Sequence, residues 1–122
     1  MAAPKTRKAG PKAKAKQTGV RGIKRPEQCR NLKEVRTAID AYDDILLPLL
    51  AQRLKLVMSA ARFKPSVKGV VKKDRVEEIV VRVRKAARAF GVNPDCFEYT
   101  YRHLIEAYTR EEQRNWPKVH KK

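Results

Sequence analysis

Ile45-Leu46-Leu47-Pro48-Leu49-Leu50-Ala51-Gln52-Arg53-Leu54-Lys55-Leu56-Val57 is the most apolar stretch of this chain, and it has a cation inside it. Stepping in heptads, the apolar positions run Leu32, Val35, Ile39, Tyr42, Leu46 and Leu49, and the next step lands on Arg53. A permanent charge on the buried seam of a helix is unfavourable unless an anion meets it. Lys64 follows eleven residues later. That is close to three turns, so the two cations share a face, roughly 16 Å apart along the axis. Two long basic side chains reaching inward from there can clamp a small dianion.

The periodicity extends outward into one long helix, from Asn31 as N-cap to about Phe63 or Lys64. At ~1.5 Å per residue it is about 50 Å long, too long for a compact domain of this size. A second stripe of Ile39, Tyr42, Asp43, Leu46, Leu50, Leu54, Val57 and Ala61 widens its apolar surface, so the helix wants a partner chain. Pro48 removes one hydrogen bond within it, so a mild kink is expected there. Lys64 to Val71 holds Pro65 and Gly69 and reads as the main loop, expected to order around a ligand. A second helix is predicted over about Lys72 to Phe90, with the stripe Val76, Ile79, Val80, Val83, Ala86, Ala87 and Phe90, and with Gly91 as its stop. Asn93-Pro94 opens a third, expected to end near Trp116 with Pro117 just beyond it. Its stripe of Phe97, Tyr101, Leu104, Ile105 and Tyr108 continues to Glu112, where an apolar residue is due. The fold class is therefore all-α, with three helices per subunit, one long and two shorter.

The 122 residues carry a net charge of +17, unevenly spread. Residues 1–26 hold nine Lys or Arg and no acid, in a low-complexity run of Ala, Lys, Pro, Gly and Thr. This segment is expected to be a disordered basic tail, and residues 27–122 the helical domain. The domain itself has 21 basic and 13 acidic residues, so an anionic partner is expected for it too. The tail offers a weak electrostatic contact to nucleic acid, and a basic nucleic-acid-binding helical module is the competing class. Against that class, the domain shows no helix-turn-helix spacing. If the tail alone binds nucleic acid, deleting it abolishes that affinity and its salt dependence while an enzymatic activity survives.

No apolar run is long enough to span a bilayer, and no signal-peptide core stands out. Cys29 and Cys96 lack metal-type spacing and read as reduced thiols, so a cytoplasmic location is expected. His103 and His120 are isolated in sequence and read as surface residues. The charges standing off-pattern or at the edge of a stripe are Arg36, Arg53, Lys64, Arg75 and Glu112. Cations with one carboxyl and no evident nucleophile suit a reaction that needs positioning and charge stabilisation. Each also has a structural reading. Arg53 would pair with Asp43 or Asp44 of a neighbour, Arg36 and Arg75 would face solvent, Lys64 would complement a helix end, and Glu112 would pair on its own helix.

Val35-Arg36-Thr37-Ala38-Ile39-Asp40, Leu50-Ala51-Gln52-Arg53, Ala61-Arg62-Phe63-Lys64 and Asp74-Arg75-Val76, in that order, resemble the all-helical class of chorismate mutases. Glu27-Gln28-Cys29, Arg62-Phe63-Lys64-Pro65-Ser66 and Glu111-Glu112-Gln113-Arg114-Asn115-Trp116 bring the likeness nearest to the isochorismate–pyruvate lyase branch. The resemblance implies an intertwined homodimer with composite sites and neither cofactor nor metal. It also implies a pericyclic reaction of chorismate or isochorismate, each a dicarboxylate with an enolpyruvyl ether. By the same resemblance Arg53, and Arg36 from the other subunit, bind substrate carboxylates. Lys64 contacts a carboxylate and the ether oxygen, Arg75 flanks the ring, and Glu112 donates a hydrogen bond to that oxygen.

Two departures pull in opposite directions. Glu112 stands where the lyase branch and many mutases carry Gln, and resembles the choice of some eukaryotic mutases. Val76 stands where bacterial mutases often carry Glu, and resembles the lyase branch. Chorismate mutase, converting chorismate to prephenate, is placed first, and isochorismate–pyruvate lyase, forming salicylate and pyruvate, second.

Overall fold

The structure, a computed structural model, describes residues 17–67, 69 and 72–120. Among these the regular elements are helical: α1 over Leu32–Ala60, α2 over Lys73–Phe90 and α3 over Pro94–Val119, with short 3-10 turns at Pro26–Gln28 and Ala61–Phe63. The expected tail over residues 1–16 lies outside the described residues, as do Lys68, Val70 and Val71 of the expected loop. Residues 17–26, also assigned to the tail, lie against the first turns of α1. There the Val20 amide donates to the Tyr42 hydroxyl at 2.9 Å, and Lys24 pairs with Glu34 at 3.1 Å.

Local chemistry sets most of the helix ends. The Asn31 side chain accepts from the Glu34 amide at 2.9 Å, and Glu34 in turn accepts from the Arg30 amide at 2.8 Å, so two otherwise orphan donors are satisfied. α1 then runs unbroken through Pro48. α2 stops at Gly91, whose φ of 77° is open to glycine without a Cβ clash. The Gly91 and Val92 amides return to the Arg88 and Ala87 carbonyls at 3.2 and 3.0 Å, a Schellman closure. Two residues later Asn93 caps α3 by accepting from the Asp95 amide at 2.8 Å, with Pro94 in the first turn.

The end of α3 differs from the sequence expectation. The helix does not stop before Pro117 but continues to Val119. Proline removes only one intrahelical bond there. Two tertiary bonds hold the extra turn: the Trp116 indole donates to the Lys64 carbonyl at 2.8 Å, and the His120 ring meets the Ala61 carbonyl at 2.9 Å. His120 is correspondingly half-buried and stacked on Trp116, so the surface reading of that residue is corrected. His103 is exposed as expected.

α2 packs most extensively on α3. The buried apolar residues among those described are Ala61 and the α2 stripe Ile79, Val80, Val83 and Ala87. α1 buries no residue of its own, and Leu32, Ile39, Leu46 and Leu49 are about half exposed or more. Its C-terminal part is tied to α3, where the Tyr108 hydroxyl donates to the Leu50 carbonyl at 2.7 Å.

Ion pairs stitch the outer edge of α2 to α3. Glu98 accepts from Arg102 at 2.7 Å and from Arg84 at 2.8 Å, and Arg84 also meets Asp95 at 2.9 Å. The Arg102 hydrogen bond, with a smaller contribution from Arg84 and partial desolvation opposing, holds the Glu98 carboxyl below its ordinary value. A depressed carboxylate stabilises the fold above the unfolded carboxyl range, and that contribution is lost as pH falls through the folded value. Glu98→Gln should therefore lower the urea midpoint modestly at neutral pH, and its deficit should shrink in acid. A deficit that grew in acid would contradict this sign. The effect is small because the pairs are solvent-screened.

Candidate active site

The helical pattern brings a set of cations to one place. A cleft of about 370 Å³ opens between the C-terminal half of α1, the first half of α2 and the second half of α3. Arg53 and Lys64 line it from the α1 side, Lys72, Arg75 and Arg82 from in and around α2, and Glu112 from α3. Its walls are apolar, with Val57, Val76, Ile79 and Ile105 between the charged groups. That volume and mixture are typical of small-molecule sites. Five cations around one carboxyl favour a small anion of more than one charge.

Arg53 is half-buried, and its guanidinium lies over the rings of Tyr108 at 5.1 Å and Tyr101 at 5.6 Å. The Tyr108 hydroxyl is fixed on Leu50, so the ring orients Arg53 rather than following it. Among the described residues Arg53 has no carboxylate partner, which leaves its N–H groups available to a ligand carboxylate.

Lys64 sits where the 3-10 turn hands over to the loop, and its ammonium meets Glu112 at 2.7 Å. Glu112 is the one buried charged residue among those described, with 2 % of its surface exposed. Its position is what the gap in the α3 apolar stripe implied: a carboxyl turned inward. The own-helix pairing considered from sequence is not what forms, since the partner comes from across the cleft. Arg75 lines the cleft, but in this chain its guanidinium pairs with Glu78 at 2.6 Å and is largely solvated. Val76 lines the cleft beside it.

Arg36 is not brought to this cleft. It lies exposed near the start of α1, and α1 is continuous between it and Arg53. Seventeen residues of helix separate the two by about 25 Å. Four of the five residues singled out from sequence thus converge and the fifth does not. Lys72, Arg82 and the aromatic seat of Arg53 were not found from sequence. Arg82 stands seven residues after Arg75, two turns along the same face, which is the signal that would have found it.

Three helices close a cation-lined cleft on a single inward carboxyl, an arrangement whose charge suits a small anion. The sequence falls within a recognised family: residues 35–113 match the family described as chorismate mutase type II. This chain belongs to that family. It is 29% identical over 94 residues to the isochorismate pyruvate lyase of Pseudomonas aeruginosa, a match covering 77% of this chain and 93% of that protein. It is 34% identical over 87 residues to the T-protein of Enterobacter agglomerans, covering 70% of this chain and 23% of that protein. The matched span takes in Arg36 and the cleft residues from Arg53 to Glu112. No helix among the described residues is long and apolar enough to cross a membrane.

Proposed function

We propose that the protein converts chorismate to prephenate in this cleft, completed by Arg36 of the partner subunit in a homodimer. The observation that carries this reading is the Lys64–Glu112 pair, a cation and an inward carboxyl 2.7 Å apart within a family of chorismate mutases. The substrate is a dianion whose C–O bond breaks as a C–C bond forms, with negative charge growing on the ether oxygen. No nucleophile, metal or redox partner is needed for that electron flow. What helps is a compact bound conformation and donors at that oxygen.

Arg53 holds one carboxylate and the partner's Arg36 the other. Lys64 bridges a carboxylate and the ether oxygen, and Arg75 turns from Glu78 to the ring side. Without ligand, Glu112 occupies the Lys64 ammonium. The arriving dianion takes over Lys64 and leaves Glu112 to face the ether oxygen. A carboxylate only accepts, so a hydrogen bond to that oxygen needs a donor on this side chain. Glu112→Gln keeps the shape and supplies an N–H donor, so it should retain much of the rate, whereas Glu112→Ala should lose most of it. Equal losses in the two variants would remove Glu112 from this role.

The second reading is cleavage of isochorismate to salicylate and pyruvate. It is favoured by the likeness to an isochorismate pyruvate lyase across nearly that protein's whole length, and by Val76 on the cleft wall. Both reactions use the same clamp. Salicylate appearing from isochorismate faster than prephenate from chorismate would make the lyase the principal activity. A cytoplasmic location fits either reaction. The basic segment before residue 27 adds a weak contact to nucleic acid, measurable as a salt-dependent affinity that disappears when the segment is deleted.

A further inference from the structure

Glu112 and Trp116 on α3 and His120 at its C-terminal cap stand four residues apart and form one stripe. The whole stripe meets a single short segment, the turn from Ala61 to Lys64. Glu112 takes the Lys64 ammonium at 2.7 Å. Trp116 donates its indole N–H to the Lys64 carbonyl at 2.8 Å. His120 contacts the Ala61 carbonyl at 2.9 Å, and because a carbonyl only accepts, Nε2 carries the hydrogen. The two rings stack at 4.1 Å with 23° between their planes. The Ala61 carbonyl also accepts the Lys64 amide at 3.2 Å, so the turn is gripped at both ends.

We propose that Trp116 and His120 are positioning residues for Lys64, acting through the backbone carbonyls of the Ala61–Lys64 turn. The inference rests on the reading above that Lys64 acts on the substrate. Lys64 is the last residue before a loop, and its backbone is extended at φ −107° and ψ 129°, the region a residue before proline prefers. The indole bond fixes the Lys64–Pro65 peptide plane, and the imidazole bond fixes the start of the turn. The Lys64 Cα is thereby placed relative to the helix that carries Glu112. A lysine has four rotatable side-chain bonds, so its ammonium is set accurately only if its backbone is held. This also explains why α3 runs through Pro117: the last turn, closed by the His120 amide on the Trp116 carbonyl at 3.2 Å, is needed to bring the imidazole into register.

The test is a mutant cycle with Lys64, read in steady-state kinetics on chorismate with the full chain. Trp116→Phe keeps an aromatic ring for the stack and removes only the indole donor. It should lower kcat roughly tenfold, the scale of one lost hydrogen bond, and change KM by less than about twofold. In a Lys64→Ala background the same substitution should have no further effect on kcat. His120→Ala should lower kcat to a smaller degree, and His120→Gln, which keeps an N–H donor, should recover part of the loss. Rates are referred to folded protein by its circular dichroism, and if Trp116→Phe fails to fold the His120 pair carries the same cycle. Losses that add in full to that of Lys64→Ala would show the clasp to be a general anchor and overturn the proposal. If Lys64→Ala itself left the rate unchanged, the reading of Lys64 would fall first, and a tenfold loss in Trp116→Phe alone would then need another cause.

Discussion

Lys64→Ala should lower the rate of prephenate formation by about a hundredfold, the scale of losing one donor aimed at a developing oxyanion. The ammonium is held in a cleft whose apolar walls limit water, where a charge interaction is stronger than in bulk solvent. Its ground-state partner is Glu112. The substitution therefore also leaves a buried carboxyl without its cation, so the fall in stability has to be measured beside the fall in rate. Lys64→Arg keeps the charge but not the compact ammonium, and should recover binding more than turnover. A Lys64→Ala enzyme with an unchanged rate would return the residue to the structural role of a charge at the end of a helix.

Equal mixing of Arg36→Ala and Arg53→Ala proteins, each close to inactive alone, should restore roughly a quarter of the wild-type activity after subunit exchange. The figure follows from two-fold symmetry: about half the dimers become mixed, and each mixed dimer has one intact site of two. The physical basis is length. α1 places its two arginines about 25 Å apart, far beyond the span of a small dicarboxylate. An antiparallel neighbour lying along the exposed Leu32, Ile39, Leu46 and Leu49 face would bring the missing guanidinium to the other end of the clamp. No recovery, with exchange verified, would contradict a shared site.

How much of this was legible in the sequence depends on how local the determinant is. The start of α1 and the stop of α2 follow from Asn31 and Gly91, because each cap is made by residues within a few positions of the end. Glu112 was visible as a charge interrupting an apolar stripe, and it is indeed buried. The end of α3 was misread at Pro117 because the bonds holding the last turn come from Ala61 and Lys64, more than fifty residues away. His120 was misread for the same reason. The tyrosine seat of Arg53 depends on how α1 and α3 are rotated against each other, which periodicity alone does not set. Arg75 is legible as a charge at the edge of the α2 stripe, but its ion pair is not: in this chain it rests on Glu78 at the rim.

The most direct measurement is product formation from chorismate by the purified 122-residue chain, with Arg53→Ala and Lys64→Ala alongside. Prephenate should accumulate with the wild-type chain and fall to a small fraction of that rate with either variant. A wild-type protein that forms no prephenate, or variants that form it as fast, would contradict a chorismate clamp built on Arg53 and Lys64.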